Sequence, residues 1–162
     1  MEDSLAIANY FIMKSLDEGV NLTSMKILKL VYIAHGWHLG LNGTALITEG
    51  VEAWKYGPVV RKVYTELRDY GNNSVKELTT IYKGFKRITP TVEDADVEKF
   101  LDKVWDFYKK YSALQLSSLT HQPNTPWDIV WNKEGHNSGN APIPNNYIEE
   151  HYKDKIKATT TS

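Results

Sequence analysis

Residues 25–38, MKILKLVYIAHGWH, decide the fold. Met25, Ile27, Leu28, Leu30, Val31, Tyr32, Ala34 and Trp37 fall on nearly every side of a helix, and a helix apolar on most faces belongs in the middle of a domain. Thr23 or Ser24 caps its start, and Gly36, Gly40 and Gly43 break the pattern at its end. Working outward, Leu5, Ala8, Phe11, Ile12 and Leu16 form one stripe of a first helix, which Asp3 or Ser4 caps and Gly19 stops. After the central helix, residues 45–49 (ALITE) and 51–56 (VEAWKY) are short runs separated by Gly50, which predicts a β-hairpin near 45–56. Pro58 fits the first position of a helix carrying Val60, Val63, Tyr64 and Leu67, with a stop at Gly71. Thr, Ile, Tyr and Phe around Gly84 make 79–88 a candidate third strand. An amphipathic helix follows from Val97 to Tyr108, then a short one after Ser112, then the loop THQPNTPW (120–127), in which Thr125 caps a helix opening on Pro126. Residues 132–146 read as a polar loop, Asn146–Ile156 as a last helix, and 158–162 as a disordered tail. The expected architecture is mainly α: one helical domain over 1–157 with a small antiparallel β element.

Composition narrows the function. The 162 residues are 41% hydrophobic and 24% charged, ordinary for a single globular domain. Nineteen Lys and Arg against 20 Asp and Glu leave a net charge of −1, without the basic excess of a nucleic-acid binder. The absence of cysteine removes disulfides, thiol catalysis and Cys-ligated metals. No apolar run reaches the ~20 residues that span a bilayer, and the acidic, amphipathic N-terminus is unlike a signal peptide. A cytoplasmic location is expected, with no membrane and no direct nucleic-acid partner.

Candidate chemistry is sparse. His35 and His38 are spaced to share a helix face, but no HExxH pattern accompanies them and ordinary histidines are the preferred reading. Ser117, His121 and Asp128 could be drawn as a triad, yet no GxSxG elbow is present. Glu49 and Glu52 flank the expected hairpin turn, where solvated carboxylates are usual. Neither GxGxxG nor GxxxxGK[ST] occurs. Lys26 and Lys29 are the only cations on the central helix, too few for a DNA-reading helix. No catalytic residue, metal or cofactor is expected. The aromatics say more: five Trp and ten Tyr are many for this length. Trp54, Tyr56 and Trp127 lie in or beside turns, where an aromatic either locks the loop to the core or anchors a partner.

Two signatures resemble a known family. One combines Lys29, Leu30, Tyr32, Gly36 and Trp37 with Glu52-Ala53-Trp54, Tyr56-Gly57-Pro58-Val59, Val63-Tyr64 and Tyr70-Gly71. The other is Leu116, Ser117, Thr120, His121, Pro126 and Trp127. Together, in this order, they resemble the SocA-like Panacea domain over residues 5–150. The resemblance implies an antitoxin that neutralises a cognate protein toxin, often encoded beside it, by direct binding. Family toxins include alarmone-synthetase-like enzymes. A relative acts instead as a proteolytic adapter to a Clp protease, which is the alternative reading. A nucleotide- or small-molecule-processing enzyme is the third. With a helix expected from residue 5, the N-terminal zinc-binding or DNA-reading module of some relatives is not expected here. Within this frame the candidate partner-binding residues are Glu52, Trp54, Tyr56, Gly57 and Pro58, on a turn expected to project from the body, and His121 and Trp127 in the second signature. Glu49, Glu52, Glu66 and Asp69 would supply an acidic face to a basic toxin site.

Overall fold

The computed structural model describes residues 1–160. It is mainly helical with small antiparallel β elements, as the sequence predicts. Helix α1 (Ser4–Glu18) starts where the Asp3 carboxylate accepts the Leu5 N–H and stops at Gly19, in left-handed backbone. Helix α2 (Ser24–Asn42) is capped by Thr23 and lies at the centre, with Ile27, Leu30, Val31, Tyr32, Ile33 and Ala34 fully buried. Against it pack α1, α4 (Ala95–Tyr108), α5 (Ala113–Thr120) and α7 (Asn145–Thr160). Trp105 on α4 is fully buried, stacks on Phe11 of α1 at 6.2 Å and donates its indole N–H to Glu18. Helix α3 (Arg61–Leu67) runs into a 3-10 turn at Arg68–Tyr70, and the short α6 (Pro126–Asp128), capped by Thr125, continues into a π-helical turn at Ile129–Lys133.

Gly36 and Gly40 do not end α2. They are a notch in it, and α7 fills the notch. A Cβ on Gly36 would stand 2.1 Å from the Tyr152 ring, and one on Gly40 2.7 Å from the Tyr152 Cβ. The helix stops one turn later, at Gly43 in left-handed backbone. Tyr152 is itself buried, edge-on to Trp37 at 5.1 Å and to Tyr32 at 6.4 Å. In sequence the glycines look like breaks because the residue that needs their missing side chains lies more than a hundred positions away.

The β elements also differ from expectation. The hairpin is shifted downstream: β1 (Val51–Trp54) pairs with β2 (Gly57–Val59) across the two-residue turn Lys55–Tyr56. Pro58 lies within β2, opposite Ala53, and does not begin α3. It is tolerated because β2 is an edge strand in the order β2-β1-β5. Residues 45–49 are no hairpin strand; they make one parallel bridge, between Ile47 and Glu2. The sheet's third strand is β5 (Ala141–Ile143), inside the stretch read as a polar loop. Residues 79–88 hold a separate hairpin instead, β3 (Ile81–Lys83) and β4 (Lys86–Ile88) about Gly84. The buried Asn9 of α1 fastens its base, donating to the Thr79 and Pro90 carbonyls and accepting from the Thr79 N–H. Helix α7 continues to Thr160, so 158–160 are helical where a disordered tail was expected; 161–162 lie outside the described residues.

If Gly36 is kept small by Tyr152, Gly36→Ala alone should cost about 2–3 kcal/mol through overpacking. In a Tyr152→Ala background the same change should cost under about 1 kcal/mol. Urea denaturation of the four chains checks this, and equal costs in both backgrounds would refute the notch.

Candidate functional site

The candidate site is built from the inside outward on a buried charge. Lys29 points from α2 toward the β1–β2 turn and is 3% exposed. Its ammonium donates to the carbonyls of Tyr56 and Pro58, each at 3.2 Å. No carboxylate pairs with it among the described residues, and burial pulls its pKa down from 10.5 to about 8. The ammonium therefore clasps the backbone on both sides of Gly57. Gly57 has φ +118°, and a Cβ there would fall 2.8 Å from the Lys29 Nζ. Only glycine accepts both the conformation and the close approach.

Helix α5 holds the same turn from the other side. The Ser117 hydroxyl donates to the Tyr56 carbonyl at 3.1 Å, so that carbonyl receives two donors. The buried Trp127, positioned by the Thr125 cap and Pro126, donates its indole N–H to the Trp54 carbonyl at 2.6 Å. It stacks on Trp131 at 5.5 Å and meets the His121 ring edge-on at 5.4 Å. The His121 Nδ1 is buried beside Gly57 and makes no hydrogen bond among the described residues.

On the outer face, Glu52 accepts two hydrogen bonds from the Arg61 guanidinium, at 2.7 and 3.0 Å, and one from the Trp54 indole at 3.2 Å. These contacts hold its carboxyl below the usual range, the Arg61 bonds first. Arg61 lies over the Trp54 ring at 5.3 Å, and Tyr64 meets that ring edge-on at 4.7 Å. Tyr56, at the tip of the turn, is 67% exposed. The seven sequence candidates thus converge on one turn and its supports. Gly57, Pro58 and Trp127 are buried scaffold, Glu52, Trp54 and His121 are half-buried, and Tyr56 alone projects.

The other candidate groupings do not converge. Ser117 is committed to Tyr56, while Asp128 accepts from the Asn124 N–H and from Asn132. His35 Nε2 bonds Asn145, whereas His38 Nδ1 bonds the Thr44 carbonyl. Glu49 accepts the Ser4 N–H and pairs with Lys62, which also bridges to Asp3. Glu52 on Arg61 and Glu49 on Lys62 neutralise two of the four carboxylates of the expected acidic face from within, while Glu66 and Asp69 are exposed and make no ion pair among the described residues. Sequence reasoning missed the scaffolding role of Lys29, along with Ser117, Arg61, Tyr64 and Trp131 as partners. One signal was available: a lysine set within an all-round apolar helix is buried, and a buried ammonium requires acceptors.

A family model for the antitoxin SocA-like, Panacea domain matches residues 27–128. The chain belongs to this family. It is also 31% identical, over 142 residues, to a protein named Antitoxin SocA from Caulobacter vibrioides, spanning 85% of this chain and 74% of that protein. No solved structure matches. The matched part of this Panacea domain contains Lys29, the β1–β2 turn, α5 and Trp127. It excludes β5 and α7, which add the third strand and fill the glycine notch.

Two outcomes test the clasp. Gly57→Ala should destabilise the domain by about 2–4 kcal/mol, through backbone strain and collision with Lys29. Lys29 should also leave a pH signature. Its folded-state pKa lies below the unfolded one, so the unfolded chain binds the proton more tightly. The resulting penalty is fully present below about pH 8 and relieved as pH rises toward 10. Between about pH 8 and pH 10 the unfolding free energy should therefore rise more for the wild-type chain than for Lys29→Met, by about 2 kcal/mol. An equal rise in both chains would show that Lys29 is not desolvated.

Proposed function

We propose that this Panacea domain is an antitoxin that neutralises a cognate protein toxin by direct binding, with the β1–β2 turn and the 120–127 segment as its contact surface. Membership of an antitoxin family supplies the role. The observation that carries the mechanism is the pre-organised turn: Tyr56 stands exposed on a backbone held by Lys29, Ser117 and Trp127. A tyrosine on a fixed backbone has only its side chain left to order on docking, and tyrosines are enriched among the residues that dominate interface energetics. The half-buried Trp54, with Arg61 over its ring, is the second anchor.

Occlusion of a toxin needs no catalysis by the antitoxin, and Glu52, Ser117 and Trp127 around the turn are engaged in structural contacts. An alarmone-synthetase-like toxin is the partner class that the resemblance suggests. The bidentate Glu52–Arg61 pair beside Trp54 offers either charge to it if the pair opens.

The test is neutralisation with purified components. The product of the gene beside this chain's own is assayed with the chain at equal concentration and without protease. Full inhibition and a stable complex are expected, and Tyr56→Ala should weaken binding about tenfold or more at unchanged thermal stability. Binding without inhibition until a Clp protease is added would replace occlusion with proteolytic handover. No binding would refute the role.

A further inference from the structure

A second surface lies on the far side of α5 from the turn. The carboxy-terminal half of α2, α4, α5 and the end of α7 enclose an open groove of about 790 Å³. Its walls are aromatic and aliphatic. Phe107, Tyr108 and Tyr111 form a run of rings 4.9–6.5 Å apart, and the Trp37 indole donates to the Tyr108 hydroxyl beneath them. Several of these side chains are not covered by the rest of the fold: Phe107 is 57% exposed and Leu41 56%. Large apolar side chains left open along a continuous groove mark an interaction site.

The charges around the groove have one sign. Lys103 and Lys155 are its charged lining residues among those described, and Lys110 sits over the rings of Phe107 and Tyr111 at 5.5 and 5.4 Å. None of the three makes an ion pair among the described residues. Two of the four carboxylates of α4 are held away from the groove. Asp102 accepts from the Tyr10 hydroxyl and pairs with Lys14, and Asp106 pairs with Lys109, which also binds Glu18. The middle of α4 is thus divided, with Asp102 and Asp106 engaged toward α1 while Lys103 lies on the apolar trough. A groove of this kind selects an occupant with apolar anchors flanked by carboxylates.

We infer that this groove docks an amphipathic, acid-flanked helix of the toxin, with the apolar face against Phe107 and Leu41 and the flanking Asp and Glu on Lys103, Lys110 and Lys155. The inference rests on the reading of the chain as a toxin-binding antitoxin. It adds a second contact, continuous with the first through α5. That helix gives Ser117 and Thr120 to the turn, and Leu119 and the adjoining Gln122 to the groove.

The experiment measures affinity for the purified product of the neighbouring gene by calorimetry. It compares the wild-type chain, Phe107→Asp, and the double variant Lys103→Glu with Lys110→Glu. All three positions are on the surface, and thermal melts confirm that each variant is folded. Both variants should weaken binding about thirtyfold or more. The double variant should also abolish most of the loss of affinity that added salt causes in the wild type. Wild-type affinity in both variants would overturn the groove as a docking site while leaving the proposed function standing. Loss with Phe107→Asp alone would overturn the acid-flanked occupant. A wild-type dimer that Phe107→Asp converts to monomer, with toxin affinity unchanged, would assign the groove to a second copy of this chain and overturn the inference. No toxin binding by the wild type would overturn both the inference and the function beneath it.

Discussion

One buried ammonium organises the β1–β2 turn of this domain. Lys29 gives up most of its hydration to sit between the central helix and a two-residue turn, and it recovers two carbonyls in return. A buried charge without a carboxylate partner is costly, as its lowered pKa records. The arrangement persists because the geometry around it is over-determined. Gly57 supplies a conformation and a clearance that other residues cannot, Ser117 supplies a second donor to the same carbonyl, and Trp127 fixes the preceding strand. Removing the lysine would take the donor from the Pro58 carbonyl and leave Ser117 alone on the Tyr56 carbonyl, so the turn's shape is tied to the middle of the core.

That linkage connects stability to function. Affinity between proteins is limited by the cost of ordering the groups that meet. Here the ordering is completed during folding, since the backbone on both sides of Tyr56 is already bound when the chain is alone. The same helix that braces the turn forms one wall of the basic apolar groove. The two surfaces therefore share a rigid support, and a partner that touched both would engage one body rather than two loops. The family model ends at residue 128, whereas the groove and the sheet draw on residues beyond it. The Panacea core thus carries the clasp, and the carboxy-terminal segment shapes what surrounds it.

Much of this was legible in the sequence. The central helix follows from apolar residues on nearly all its faces, and side-chain chemistry that acts over a few residues narrows the caps to Asp3 or Ser4 and Thr23 or Ser24, of which Asp3 and Thr23 serve, and to Thr125. What depended on distant partners was not legible. Gly36 and Gly40 carry no sign of Tyr152, since a glycine that ends a helix and one that admits a neighbour look alike. Strand β5 is three residues long with a proline in it, too short to show alternation, and only pairing with β1 defines it. The hairpin was displaced because Pro58 fits a helix start and an edge strand equally well. Within the site, the aromatic and glycine positions around the turn are legible, but Lys29 enters only as one of two cations on the central helix and as a signature residue, with no acceptors assigned to it. The motif resemblance named the residues that the structure brings together without saying which of them bear the load.

The central claim is that the turn held by Lys29 is the surface presented to the toxin. Amide hydrogen exchange on the chain, alone and saturated with the purified toxin, tests it most directly. The account predicts slow exchange at the strand amides flanking the turn in the free chain, and further slowing on binding centred on residues 54–58 and 119–127. Slowing confined to a distant element such as the β3–β4 hairpin, with 54–58 unchanged, would contradict it.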